Sequence, residues 1–156
     1  MKISTIFIAC DTSNLNQIKK IIKYTKTDKL KIIPKFGLQL FYSKQGRKYL
    51  ENFHSEFFLD VKLKDIYQTA LSAMDSLSDL KNLKYITVHA SGGLEMLKAV
   101  TKKAKTINAN IKVLGVTILT SLNNKSVREI GYTKTVEELV LKQALLIKQS
   151  GAAGCV

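Results

Sequence analysis

Apolar residues gather in six short runs along the chain, at 5–10, 31–36, 56–63, 85–90, 112–119 and 153–156. Each run is rich in Ile, Val, Leu or Phe and lacks the strict alternation of a half-buried strand. That is the pattern of strands covered on both faces of a parallel sheet. Between the runs the period lengthens. Leu15, Ile18, Ile21 and Ile22 share one helical face, and Leu94, Leu97, Val100, Ala104 and Ile107 share another. Asn14 with Gln17, Asp65 with Gln68, and Thr135 with Glu138 have the spacing of a capping box or its Asx equivalent, which predicts a helix start at each. The stretch 136–149 is apolar over much of its circumference, predicting a helix that is buried or placed at an interface.

Strand and helix patterns therefore alternate throughout, as in a right-handed α/β fold. Two windings fit. A doubly wound nucleotide-binding sheet opens with a glycine-rich turn after its first strand, whereas Asp11-Thr12-Ser13-Asn14 stands there. The expectation is a (β/α)8 TIM barrel, incomplete, with about six parallel strands, filling residues 1–156 as a single domain truncated after strand six. A complete barrel of this kind runs to roughly 250 residues.

Barrel chemistry is done where the strands end. Strand one ends in Asp11 and strand two in Lys35. Strand three delivers Asp60 and Lys62, with Asp65 just beyond; strand four ends in His89 and strand five in Thr120-Ser121. Some of these have bland readings. Asp65 also suits a helix cap, Asp11 a turn, Thr120 and Ser121 the start of a loop, and His89 a satisfied structural histidine. Asp60 and Lys62 resist such a reading. They stand two apart on a strand, so regular alternation sends both to one side, and opposite charges are placed in a barrel mouth when paired or functional.

Composition narrows the partners. The formal charge is +13, but it comes almost entirely from lysines strewn from Lys2 to Lys148; Arg47 and Arg128 are the only arginines, and there is no Trp. A nucleic-acid groove favours arginine forks and interleaved aromatics, so the charge reads as a solvated surface and no nucleic-acid partner is expected. The first apolar run, flanked by Lys2, is at the lower edge of a signal sequence's roughly 7–15 apolar residues and reads better as a buried strand. No segment is long enough to span a membrane. Cys10 and Cys155 have neither a disulfide framework nor a metal spacing, which points to the reducing cytoplasm.

The segment Phe58-Leu59-Asp60-Val61-Lys62-Leu63-Lys64-Asp65-Ile66-Tyr67-Gln68-Thr69 resembles the Asp-x-Lys-x-x-Asp-Ile-x-x-Thr signature of orotidine 5′-phosphate decarboxylases. The resemblance extends in order through Ala9-Cys10-Asp11, Pro34-Lys35-Phe36-Gly37, Val88-His89-Ala90-Ser91-Gly92-Gly93, Val116-Thr117-Ile118-Leu119-Thr120-Ser121 and Gly151-Ala152-Ala153-Gly154-Cys155-Val156. It departs at Lys64, where that family often has His, at Tyr67, where it usually has Pro, and at Pro34, which removes a backbone donor from a central strand. The family's later loops, with their phosphate-binding glutamine and arginine, have no counterpart in the 156 residues.

The resemblance implies loss of CO₂ from orotidine 5′-phosphate to give uridine 5′-phosphate, in pyrimidine biosynthesis, without metal or organic cofactor. Lys62 would stabilise the carbanion at C6 of the pyrimidine and then supply its proton, with Asp60 and Asp65 keeping it charged. Asp60 would also face the departing carboxylate. Lys35 would bridge Asp60 and the ribose, Asp11 would accept from a ribose hydroxyl, and Thr120 with Ser121 would hold the pyrimidine edge. Asp65, Ile66 and Thr69 would reach into the neighbouring subunit's site, implying a homodimer. Two alternatives stay open: a magnesium-dependent keto-sugar-phosphate decarboxylase on the same fold, and a non-catalytic remnant or half of a split barrel. Without strands seven and eight, the 156-residue chain by itself is expected to be impaired or inactive, because barrels of this kind usually grip phosphate there.

Overall fold

The computed structural model describes residues 5–156; Lys2, which flanks the first apolar run, lies outside them. The elements are β1 (Thr5–Ala9), α1 (Leu15–Thr25), β2 (Lys31–Gly37), α2 (Leu38–Phe41), α3 (Gly46–Glu51), β3 (Phe57–Leu63), α4 (Tyr67–Asp75) and β4 (Leu83–His89). After a 3₁₀ turn (Ala90–Gly92) come α5 (Leu94–Ile107), β5 (Lys112–Val116), α6 (Asn124–Glu129), α7 (Val136–Gln149) and β6 (Gly154–Cys155). The sheet order is β1-β2-β3-β4-β5-β6. A doubly wound sheet reverses its strand order at a switch point; this one never does. Six parallel strands in chain order are those of an incomplete (β/α)8 barrel.

Two compact units can be distinguished. The first comprises Met1–Val61 with Leu77–Ile86. Its strands β1 and β2 pair in parallel from Thr5↔Lys31 to Ala9↔Lys35, and β2 pairs β3 from Lys35↔Phe58 to Gly37↔Asp60. Pro34 does not end β2. It sits opposite Ile8, and the Cys10 amide donates at 2.9 Å to the Lys35 carbonyl just beyond it. The successive residues Phe57 and Phe58 join different aromatic clusters, as strand alternation requires. Phe57 packs with Phe36 and Phe53 at centroid distances of 5.8 and 5.9 Å, while Phe58 meets Phe7 at 5.1 Å and Tyr85 at 5.9 Å. Phe36 and Phe57 are fully buried, each contributing about 1.5–3 kcal/mol of transfer free energy. They fix β2 and β3 side by side, and so fix the residues at their ends.

The second unit comprises Lys62–Ser76 with Thr87–Val156. Helix α5 buries Met96, Leu97, Val100 and Ala104. Helix α7 keeps the bounds its periodicity predicts, and its start is the expected capping box: Glu138 N–H donates to the Thr135 hydroxyl at 3.3 Å and Thr135 N–H to the Glu138 carboxylate at 2.9 Å. It buries one face through Leu139, Gln143 and Ile147 but leaves Leu141 and Leu145 exposed. Contact with β5 depends on Gly115, where an added Cβ would lie 2.3 Å from the Ile147 side chain.

Three expectations need correction. The first apolar run forms β1 but not a buried strand: four of its five residues are exposed, because β2 is the one strand that pairs with it among the described residues. The fifth strand ends at Val116, not near Thr120: the Thr117 amide still reaches the Val156 carbonyl at 3.0 Å, and the chain then turns, with Leu122 N–H closing on the Leu119 carbonyl at 2.9 Å. Asp65 does not cap α4. The helix starts at Tyr67 with Ile66 in the cap position, and the Asp65 carboxylate instead accepts from the Ile66 amide at 2.7 Å. Asn14, by contrast, caps α1 as its spacing predicts, accepting from the Asn16 and Gln17 amides.

Candidate active site

In the first unit, the ends of three strands bring Asp11, Lys35 and Asp60 together. Lys35 Nζ lies 3.0 Å from the Asp60 carboxylate and 3.5 Å from that of Asp11. The Lys35 and Asp60 side chains are 22% and 14% exposed, so this pair is largely sheltered, whereas Asp11 is 64% exposed. Partial burial by itself would pull the Lys35 ammonium down, but the two carboxylates outweigh it and leave the group above the ordinary lysine value. Gly37, beyond the lysine on β2, keeps space for this arrangement: a Cβ there would stand 3.2 Å from an Asp11 carboxylate oxygen. Cys10, beside Asp11, is a buried thiol that burial and the Asp11 charge push up, so it stays protonated and inert.

In the second unit the chain continues through Lys62, whose φ is 50°. Among the described residues it is the one non-glycine residue with positive φ. For an L-residue this left-handed backbone costs about 1–2 kcal/mol and persists only when the surroundings impose it. The Lys62 amide donates at 2.9 Å to the hydroxyl of Thr87, a β4 residue only 1% exposed. Regular alternation between Asp60 and Lys62 is thus interrupted at the lysine itself.

His89 ends β4, as the apolar pattern predicts, and its Nδ1 lies 3.5 Å from the Ser91 hydroxyl. Burial lowers its pKa first, and the positive charges of Lys64 and Lys62 lower it further, so the imidazole is neutral at neutral pH. Beyond β3, Lys64, Asp65, Ile66 and Tyr67 line an open groove of about 630 Å³ with Ser91, Gly92, Glu95 and Met96. Ile66 is 74% exposed, and Thr69, in the first turn of α4, is exposed as well. Thr120 and Ser121 are exposed in the turn after β5. Among the described residues no group of three His, Cys, Asp or Glu side chains could hold a metal ion.

Of the residues picked from sequence, Asp11, Lys35 and Asp60 are joined by ion pairs. Thr87 and Gly37 were missed. Thr87 reads as an ordinary β-branched strand residue, and only its hydroxyl sets it apart. Gly37 could have been noticed as the glycine that closes the second apolar run, two residues after Lys35.

The comparisons with known proteins give the family and the fold. The description "Orotidine 5′-phosphate decarboxylase / HUMPS family" matches residues 4–156. The chain belongs to that family. It is 35% identical over 155 residues to an orotidine 5′-phosphate decarboxylase of Fusobacterium nucleatum, covering 97% of this chain and 64% of the relative. It is 34% identical over 156 residues to one of Wolbachia, covering 97% of this chain and 66% of the relative. The chain thus spans just under two thirds of these relatives' length. The crystal structure of orotidine 5′-phosphate decarboxylase from Lactobacillus acidophilus superposes with a TM-score of 0.83 at 30% identity, covering 97% of this chain and 70% of that one. Membership of the decarboxylase/HUMPS family and the barrel class therefore stand together.

Proposed function

We propose that the protein works in the decarboxylation of orotidine 5′-phosphate to uridine 5′-phosphate, by charge and proton donation without a cofactor. The observation that carries this reading is the Asp11–Lys35–Asp60 cluster at the strand ends of a chain of this family. Removing CO₂ from C6 of the pyrimidine leaves a carbanion with little resonance relief. A fixed ammonium stabilises it most when it is in place before the charge develops. Lys62 fills that role and then protonates C6. Asp60 faces the departing carboxylate, Lys35 ties Asp60 to the ribose, and Asp11 accepts from a ribose hydroxyl. Thr120 and Ser121 hold the pyrimidine edge.

The magnesium-dependent keto-sugar-phosphate reading shares the fold but needs a place for the cation beside strand-end carboxylates. Here an ammonium, Lys35 Nζ, already stands between Asp11 and Asp60, which favours the metal-free reaction. The exposed run Asp65, Ile66 and Thr69 supports a homodimer in which each subunit lends these residues to the other's site. A cytoplasmic location is supported by the free thiols of Cys10 and Cys155; no helix among the described residues is long and apolar enough to cross a membrane.

The test supplies the chain with the C-terminal third of the Fusobacterium nucleatum relative and follows conversion of orotidine 5′-phosphate in excess EDTA. Uridine 5′-phosphate should form undiminished. Turnover that requires Mg²⁺, or that occurs only with keto-sugar phosphates, would refute the reading.

A further inference from the structure

Lys62 sits between Val61 and Leu63, and nothing in that sequence calls for a left-handed backbone. Its φ of 50° is therefore imposed from outside β3. A neighbouring group that reaches the Lys62 backbone is the Thr87 hydroxyl, 2.9 Å from the Lys62 amide and buried with the rest of its residue on β4. Turning a strand residue into this conformation swings its N–H away from the direction of a regular ladder, and an N–H that is partly sheltered from water, as this one is, gains from an acceptor. A hydroxyl can accept at that angle. A Val of the same shape cannot. The same rotation decides where the lysine side chain leaves the strand.

We propose that Thr87 is a positioning residue for Lys62: its hydroxyl holds the Lys62 backbone in the left-handed conformation and thereby aims the ammonium. Thr87 acts through the lysine and has no part in the chemistry of its own. The inference rests on the decarboxylase reading only for its kinetic consequence; the coupling of hydroxyl to backbone stands without it.

The experiment compares Thr87→Val and Thr87→Ser with the parent. Amide hydrogen exchange and the Cα and Cβ chemical shifts of Lys62 report the backbone. With Val the Lys62 amide should lose its protection and the shifts should leave their parent values; with Ser both should be retained. In the decarboxylation assay Val should lower kcat about ten- to hundredfold, as misplacing a reacting group does, with KM within about twofold, and Ser should restore it. Unchanged shifts and exchange in Thr87→Val would overturn the proposal, as would an equal loss of kcat with Ser and Val. If the parent fails to decarboxylate, the functional reading fails, while the backbone measurements still decide the role of Thr87. Should Thr87→Val not fold, Lys62→Gly against Lys62→Ala decides instead. Glycine tolerates positive φ, so Lys62→Gly must melt higher than Lys62→Ala, and the reverse order would contradict an imposed left-handed backbone.

Discussion

The first unit carries two three-membered charge clusters of opposite composition at opposite ends of its strands. Where the strands begin, Glu56 lies between two lysines, 2.6 Å from Lys31 and 3.0 Å from Lys84. Where they end, Lys35 lies between two carboxylates. The first cluster closes on itself with one surplus positive charge, at the surface, with Glu56 38% exposed. Such pairs contribute little, about 0–1 kcal/mol. The second is more sheltered at its centre and has a surplus negative charge, which attracts a cation. Lys62, two residues beyond Asp60, is the cation that the proposed reaction requires. Similar side chains thus leave opposite net charges at the two ends, and the proposed reaction uses the negative one.

The largest effect should come from Lys62, the proton donor of the proposed reaction. In the proposed reaction, Lys62→Ala removes both charge stabilisation and the proton donor. The first is worth on the order of 10²–10³ in rate and the second about 10²–10⁴, so kcat for uridine 5′-phosphate formation should fall by several orders of magnitude. Lys35→Met comes next. It leaves Asp60 and Asp11 without their shared ammonium, and should cost on the order of 10² in kcat/KM while the circular dichroism spectrum stays that of the parent.

The pH dependence of stability should separate the two clusters by sign. The folded-state pKa of Glu56 is lowered, chiefly by its hydrogen bond to Lys31. Its contribution is therefore present above the ordinary glutamate value of 4.5 and is lost as pH falls through the lower folded value. The folded-state pKa of Lys35 is raised, so its contribution is present below 10.5 and is lost as pH rises through the higher folded value. Denaturant titrations of Glu56→Gln and Lys35→Met across these windows check both; a parent-like acid slope in Glu56→Gln would remove that cluster from the account. His89 works differently. Its depressed pKa makes the unfolded chain bind more protons, so stability declines as pH falls from about 6.5 toward the folded value, and His89→Gln should flatten that decline. The smallest effect belongs to Lys64→Ala. This exposed side chain should leave kcat within about threefold of the parent, as surface substitutions usually do.

Much of this was readable in the sequence, for identifiable reasons. The six strands announced themselves because their apolar runs carry no polar alternation, although β1 is exposed at four of its five residues. Asp11, Lys35 and Asp60 could be placed together because charged residues at the ends of parallel strands converge whatever the helices between them do. Local rules succeeded where the contact is local, as at the Asn14 and Thr135 caps. At Asp65 the same rule failed: the helix begins one residue later than the cap requires, at Tyr67. The fifth apolar run continues toward Thr120 and Ser121 although the strand stops at Val116, because an apolar run does not show where a turn closes. The conformation of Lys62 was beyond any local pattern. It depends on a hydroxyl 25 residues away on the next strand.

The division between a structural and a chemical end is tested most directly by Asp60→Asn and Glu56→Gln, assayed side by side for decarboxylation with the C-terminal third of the relative supplied. Each change removes one carboxylate charge from one cluster. Asp60→Asn should lower kcat/KM by on the order of 10²–10³, and Glu56→Gln should leave it within about twofold. Equal losses, or a larger one at Glu56, would contradict the assignment of chemistry to the cluster at the strand ends.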